Sequence, residues 1–233
     1  MTAADQVGLT NPSTGSSTVG ALHEQFVHKR RVRVLASHLA ALIPTKSKVL
    51  DVGCGDGTID SLIMKQSPSV SIEGIDVLVR PTAKIPVCRF DGIHIPYPDA
   101  HFDVVMLIDV LHHAEDPILL LREASRVGRS VLIKDVFRHG FLAFSTLRFM
   151  DWVGNAHHGV ALPYNYWSKP EWASAFDALG LKRVGTRGPL GLYPAPASWL
   201  FERDLHFISR FERDLLGDLV NTSRPGRTGR QRR

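Results

Sequence analysis

Two cysteines in 233 residues, Cys54 and Cys88, are too few for a disulfide framework, so a reducing, cytoplasmic setting is the expectation. Long hydrophobic runs are also missing: the apolar stretches are strand-sized, short of the ~20 residues a membrane-spanning helix needs. The amino-terminal stretch MTAADQVGLTNPSTGSSTVG lacks the basic-then-apolar layout of a secretory leader, which argues against export. No internal repeat is visible. Nor is the body of the chain strongly charged. The formal net charge is +5, and the last twelve residues alone supply that much through Arg224, Arg227, Arg230, Arg232 and Arg233. Residues 1–20 contribute −1 through Asp5, which leaves the middle of the chain at +1. The basicity therefore belongs to a tail over residues 214–233, read as solvated and disordered. An arm for anionic lipid or RNA is the sharper alternative. A near-neutral body without a nucleic-acid module counts against nucleic acid as the main partner.

Hydrophobic content of 44% with 22% charged residues is that of a globular protein, and the length suits one domain with appendages. Residues 1–20, rich in Ser, Thr, Gly and Ala, read as disordered; residues 21–213 read as the folded domain. From about Leu22, Val32, Leu35, Leu39, Leu42 and Ile43 recur at helical spacing until Pro44, and the other face carries Lys29, Arg30 and Arg33. Strands are expected at Ser47–Val52, Val70–Ile75, Ile85–Phe90, Phe102–Ile108 and Arg129–Lys134. Phe102–Ile108 is apolar on both faces, as a central parallel strand covered on each side must be. A helix around Ile59, Leu62 and Ile63 and another started by Asp116-Pro117 alternate with these strands. That rhythm predicts an α/β, doubly wound, mostly parallel sheet with helices on both faces. After it, residues 137–167 form an aromatic-rich insertion. A capping box at Ser168 and Glu171 then opens a helix closed by Gly180, and Leu181–Thr186 and His206–Phe211 supply the last strands.

The segment Val49–Gly57, VLDVGCGDG, is a strand running into a glycine turn and then a helix. Ligands of open α/β sheets bind beyond the carboxyl ends of the strands, and Gly53, Gly55 and Gly57 let backbone approach one there. Glycines alone do not name the ligand. Asp51 discriminates: a diphosphate gains nothing from a carboxylate at that strand end, whereas S-adenosylmethionine carries a sulfonium and an ammonium that do. The spacing also lacks the last glycine of the dinucleotide fingerprint, which counts against a nicotinamide oxidoreductase. Asp76 ends the second strand about 20 residues beyond the loop, where a carboxylate can accept ribose hydroxyls. Asp91, followed by Gly92, ends the third and can accept from an adenine amino group. Each acid alone is more readily a turn or cap residue than a ligand; three on one sheet edge point to a ligand.

In VLDVGCGDG, GID, FDGIHIPYPDAHFDVVMLIDVLHHAEDP and VLIKD the chain resembles the class I S-adenosylmethionine-dependent methyltransferases, in the branch that includes ubiquinone-biosynthesis methyltransferases. The resemblance covers about Leu22 to Arg213 and is strongest from Val49 to Asp135. It implies strand order 3-2-1-4-5-7-6 with strand 7 antiparallel. It implies S-adenosylmethionine as cofactor, with Asp51, Gly53, Cys54 and Gly55 at the methionine end, Asp76 at the ribose and Asp91 with Gly92 at the adenine. Asp109 would lie beside the methionine. One departure is visible: about ten residues, including Pro81 and Pro86, join Asp76 to Val87, so the usual helix there must shrink to about a turn.

Methyl transfer from a sulfonium is an in-line displacement, and a general base is needed only when the acceptor must lose a proton. His113 is the candidate base by resemblance, with support of the post-strand loop as the plainer role. His112, His157, His158, Tyr164 and Tyr166 are further candidates. An adjacent His pair with no Cys or acid cluster does not predict a metal. The insertion, with Phe141, Leu142, Phe144, Leu147, Phe149, Met150, Trp152 and Val153, is read as an acceptor-side lid over an apolar pocket. The expected acceptor is a small molecule (a quinone, lipid, sugar or secondary metabolite), with a lipid-linked one and peripheral membrane contact left open. The alternatives are an RNA or protein methyltransferase and a non-catalytic S-adenosylmethionine-binding protein.

Overall fold

The structure is a computed structural model that describes residues 18–140, 142–155 and 165–214. Fourteen elements follow in the order α1 (Thr18–Ala40), β1 (Lys48–Val52), α2 (Thr58–Gln66), β2 (Ser71–Asp76), β3 (Val87–Arg89), β4 (Phe102–Ile108), a 3-10 turn (Leu111–His113), α3 (Pro117–Val127), β5 (Gly128–Val136), α4 (Ala143–Asn155), α5 (Lys169–Ala178), β6 (Leu181–Arg187), α6 (Ala197–Phe201) and β7 (His206–Arg213). The seven strands form one sheet in the order β3-β2-β1-β4-β5-β7-β6, parallel except that β7 runs antiparallel to both β5 and β6. That is the fold class expected from the strand–helix rhythm and the topology implied by the resemblance. The chain order reverses direction across the sheet between β1 and β4, which opens a crevice at their carboxyl ends.

β4 is central because its sequence has no polar face to offer water. Val104, Val105, Met106 and Leu107 are all fully buried, pointing alternately into two separate cores. On one face Val49, Val104, Met106 and Leu132 pack with Leu35, Leu39 and Ile63 of α1 and α2. On the other, Leu50, Val105, Leu107 and Ile133 pack with Leu121 and Ala124 of α3 and with Trp172 and Phe176 of α5. Local start signals hold as the sequence implies. Asp116 accepts from the Leu119 amide at 2.9 Å with Pro117 behind it. Ser168 and Glu171 close a reciprocal capping box.

Several boundaries differ from expectation. Thr18–Gly20, inside the segment read as disordered, already belong to α1, while residues 1–17 and the tail from 215 lie outside the described residues. Residues 77–86 contain turns and no helix, a stronger shortening than the single turn expected; Pro81 and Pro86 deny the segment a helical ladder. β5 runs on through Asp135 to Val136, paired with β7 along its length. The proline-rich link after β6 carries a short helix, α6, started by Pro196. In the insertion, α4 buries Ala143, Thr146 and Leu147 and packs through Leu147 and Ala143 on Val136, Tyr166 and Leu205.

Candidate functional site

The carboxyl ends of β1, β2, β4 and β5 converge on the crevice, and the glycine loop lines one side. Gly53, Gly55 and Gly57 all have positive φ, at 75°, 61° and 68°. A Cβ at Gly53 would stand 2.6 Å from Val110 Cγ2, so this glycine lets the loop pass beneath the segment that follows β4. A Cβ at Gly55 would meet nothing within 4 Å, so the loop is open on that side, where a ligand can lie against backbone. Asp76 fixes this arrangement: one oxygen accepts from the Gly55 amide at 2.8 Å and the other from the Leu78 amide at 2.9 Å. Its carboxylate thus faces the loop opening, and Val77 and Leu78 beside it expose apolar surface. Cys54 is half-buried, with its sulfur in the space that a side chain at position 74 would need. Burial raises its thiol pKa, so it is no nucleophile at neutral pH.

Asp51 sits differently from the exposed anion the sequence suggests. It is buried at the end of β1 beside Asp60, a fully buried carboxyl in the first turn of α2. Burial first, then its acidic neighbour, raise the Asp51 pKa well above the carboxylate range; burial pushes Asp60 up to about 6. Both carboxyls are thereby held toward their protonated forms beneath the glycine loop. Asp60 was not read as a site residue, because an acid in a first helical turn is ordinary dipole complementation. Asp91, by contrast, is exposed and caps its own turn. It accepts from the Ile93 and His94 amides and from the His94 ring, which together lower its pKa to about 2. Its neighbour Gly92 has φ of 89° and lies against Val77.

At the end of β4, Asp109 adopts a left-handed conformation, φ 56°. One oxygen meets the Arg31 guanidinium at 2.8 Å and the other is bonded by the Lys134 ammonium. Burial would raise its pKa, but these two cations outweigh that and hold it low. Asp109 is therefore neutralised from within. Arg31 reaches it from α1, with Tyr193 also against the guanidinium, and Arg30 binds the Gly191 and Leu192 carbonyls. The basic face of α1 is thus partly a clamp, tying the helix to Asp109 and to the link after β6. Behind Lys134 lies His206, whose pKa burial and the ammonium lower to about 3.

The His pair resolves asymmetrically. His112, buried, places Nδ1 2.6 Å from Oδ1 of Asp135, which is fully buried and also accepts the Val136 amide. His113 is half-buried, with its ring centroid 4.0 Å from that of His112 and the two planes tilted by 51°. The carboxylate-oriented histidine is therefore His112, whereas the sequence reading singled out His113. Asp135, the partner, carries no signal of its own in the sequence beyond ending the stretch of strongest resemblance. Tyr166 is buried with its ring 5.7 Å from that of His112. His157, His158, Tyr164 and Phe141 lie outside the described residues, as do the side chains of Trp152 and Val153.

An acid cluster at the His pair was not foreseen. Among the described residues, ligand atoms of Asp109, His112 and Asp135 lie within 4.8 Å of one another. The Lys134 ammonium and Arg31 already provide the positive charge on Asp109, and His112 and Asp135 bond each other. A cavity of about 430 Å³ lined by Lys46, Asp103, Arg129 and Glu212 lies at the opposite, amino-terminal edge of the sheet, away from these groups.

An open glycine loop, a carboxylate aimed at its mouth and a buried acid pair beneath it suit a cationic nucleoside ligand such as S-adenosylmethionine. The comparisons agree. A profile of the methyltransferase-domain family matches residues 26–185. The chain is 30% identical over 110 residues to the 27-O-demethylrifamycin SV methyltransferase of Amycolatopsis mediterranei, covering 41% of this chain and 40% of that one. It is 32% identical over 95 residues to a tRNA (carboxymethyluridine(34)-5-O)-methyltransferase of Schizosaccharomyces pombe, covering 39% and 40%. The chain thus spans about two fifths of the length of these relatives. Among solved structures, the 1,6-didemethyltoxoflavin-N1-methyltransferase of Burkholderia thailandensis, with its substrate and S-adenosylhomocysteine bound, superposes with a TM-score of 0.56. That match is at 15% identity and covers 90% of this chain and 93% of that one. By its fold and its family profile, the chain belongs to the methyltransferase-domain family, as a class I member whose cofactor is S-adenosylmethionine.

Proposed function

We propose that the chain transfers a methyl group to a hydroxyl or amine of a small-molecule acceptor, with His112 as the proton-accepting group. The observation that carries this reading is the buried His112–Asp135 pair at the carboxyl edge of the sheet, beside the glycine loop and under Tyr166. Bound S-adenosylmethionine supplies a methyl group on a sulfonium, an electrophile that needs alignment more than activation. Asp76, with Gly53 and Gly55, is proposed to hold the ribose and methionine end; Asp91 and Gly92 are proposed to border the adenine. Asp109 fixes the segment after β4 through Arg31 and Lys134, so its part is to shape the methionine side rather than to offer a bare charge. Asp135 accepts a hydrogen bond from the Nδ1–H of His112, the tautomer that leaves Nε2 as the basic nitrogen. Burial of this pair excludes water from the proton's path. α4 and Tyr166 close the acceptor side with apolar surface.

Relatives named for a rifamycin precursor and for a methyl-phytyl hydroquinone support a small acceptor. A relative named for tRNA favours a second reading, RNA methylation, in which the arginines of residues 224–233 would contact phosphate. Incubation with S-adenosylmethionine and separated small-molecule and RNA extracts distinguishes the two. Mass spectrometry is expected to find one added methylene in a small molecule. His112→Ala should lower that turnover by about a hundredfold and His113→Ala by less than tenfold. Product confined to RNA, or equal activity in His112→Ala, would overturn the reading.

A further inference from the structure

Buried polar groups find hydrogen-bond partners in nearly every fold, and the acid pair under the glycine loop departs from that rule. Asp51 is 2% exposed and Asp60 is fully buried. Neither oxygen of Asp60, nor Oδ1 of Asp51, has a hydrogen-bond partner among the described residues. Such a pair weakens a fold, and uncompensated acids of this kind gather where a ligand or a reaction uses them.

Its place fits a ligand of opposite charge. Asp51 stands two positions before Gly53, and Asp60 lies in the first turn of α2, the helix that the loop opens. The charges of this pair reach the loop: after burial, Asp51, Asp60 and Asp76 are what raise the Cys54 thiol pKa. Asp76 accepts from the Gly55 amide on the side where the loop is open. The other charged groups that act on the pair are acids too, Asp76 on Asp51 and Asp56 on Asp60. The nearby cations are engaged elsewhere, Lys84 with Asp56 and Thr58, Arg31 with Asp109. α1 and β4 bring apolar side chains to this side of the sheet, Leu35, Leu39 and Met106.

With no cation at hand the empty site favours neutral acids, because an unpaired buried carboxylate is costly. A cation laid against the loop stabilises the ionised pair, and by reciprocity the ionised pair binds the cation more tightly. S-adenosylmethionine brings a sulfonium and an ammonium; S-adenosylhomocysteine brings the ammonium alone. We propose that Asp51 and Asp60 are a latent counter-charge for the cofactor, losing a proton to solvent when S-adenosylmethionine binds. Asp60 thereby makes the site favour the sulfonium over the neutral thioether of the product. No bond of the cofactor changes in this step; only the acid proton moves, to buffer. The inference rests on the S-adenosylmethionine site of the reading above.

Calorimetric titration of the full chain tests it, with each of the two cofactor forms at about pH 6.5. Buffers of low and high ionisation enthalpy count the protons released per ligand bound. About half a proton or more is expected with S-adenosylmethionine, and clearly less with S-adenosylhomocysteine. From about pH 5.5 to about pH 7.5, affinity for S-adenosylmethionine should rise at least about threefold more than that for S-adenosylhomocysteine. The sign follows from the pair losing protons as pH rises through about 6. Asp60→Asn should release less than half as many protons and flatten that difference; the pH series on the unaltered chain stands without the variant. S-adenosylmethionine bound with no proton released would overturn the inference. Equal release with S-adenosylhomocysteine, or unchanged release in Asp60→Asn, would overturn it as well. Failure of both ligands to bind would strike the S-adenosylmethionine reading too, an outcome distinct from binding without release.

Discussion

Asp51 and Asp60 illustrate how burial reverses the role that residue type suggests. A carboxylate at the end of β1 reads as a fixed negative charge waiting for a cation, yet in the fold it is buried beside a second acid and held toward its protonated form. Both pKa values lie above those of an unfolded chain, so the pair's contribution to stability is fully present below about pH 4. It is lost as pH rises through about 6. Asp60→Asn keeps the volume and removes one ionisable group. It should therefore be more stable than the parent at pH 7.5, by about 2 kcal/mol, and equal to it near pH 4. Denaturant melts at the two pH values check this. A difference that does not change between them would show that the acids are not coupled to folding. Residue-scale legibility follows the same line. Gly53, Gly55 and Asp76 were readable because backbone demands write themselves into local sequence. Asp60, Asp135 and the choice of His112 over His113 were not, because each depends on a partner brought from another element.

At the scale of elements, the caps and the central strand were legible to the residue. Phe102–Ile108 is β4 as expected, and Asp116 and Ser168 start their helices, since each signal is contained within a few positions. The role of α1 was not. Its periodic leucines announce a core face, but nothing local says that Arg31 bonds Asp109, 78 positions away, or that Arg30 holds the link after β6. α1 is tied across the crevice by these arginines and by His38, whose Nε2 lies 2.8 Å from the Leu190 carbonyl oxygen. Arg31 remains about a quarter exposed, and Lys134 stays on Asp109 when it is removed, so the cost of removal is moderate. Arg31→Ala is expected to lose about 1–2 kcal/mol. It should also speed amide exchange in residues 28–40 more than in β4. Exchange unchanged in α1 would mean that packing of Leu35 and Leu39 alone holds the helix.

Across the whole molecule, chemistry is segregated by sheet edge. The carboxyl edge gathers the glycine loop, Asp76, the Asp109 ion pairs and the His112–Asp135 pair. The amino edge holds a cavity in which Arg129 pairs with Asp103 and Arg210 with Glu212. Among the described residues no helix is long and apolar enough to cross a membrane. The topology was legible as a class from strand–helix alternation. The acceptor was not, because the segment that would shape its pocket is an insertion with no period of its own. What the account rests on most is that the glycine loop and Asp76 form one S-adenosylmethionine site. Calorimetry with S-adenosylhomocysteine and with NAD tests it, on the unaltered chain and on Asp76→Ala. The prediction is one S-adenosylhomocysteine bound per chain, no NAD, and affinity lowered at least about tenfold in Asp76→Ala. Binding of NAD instead, or S-adenosylhomocysteine bound equally well by Asp76→Ala, would contradict it.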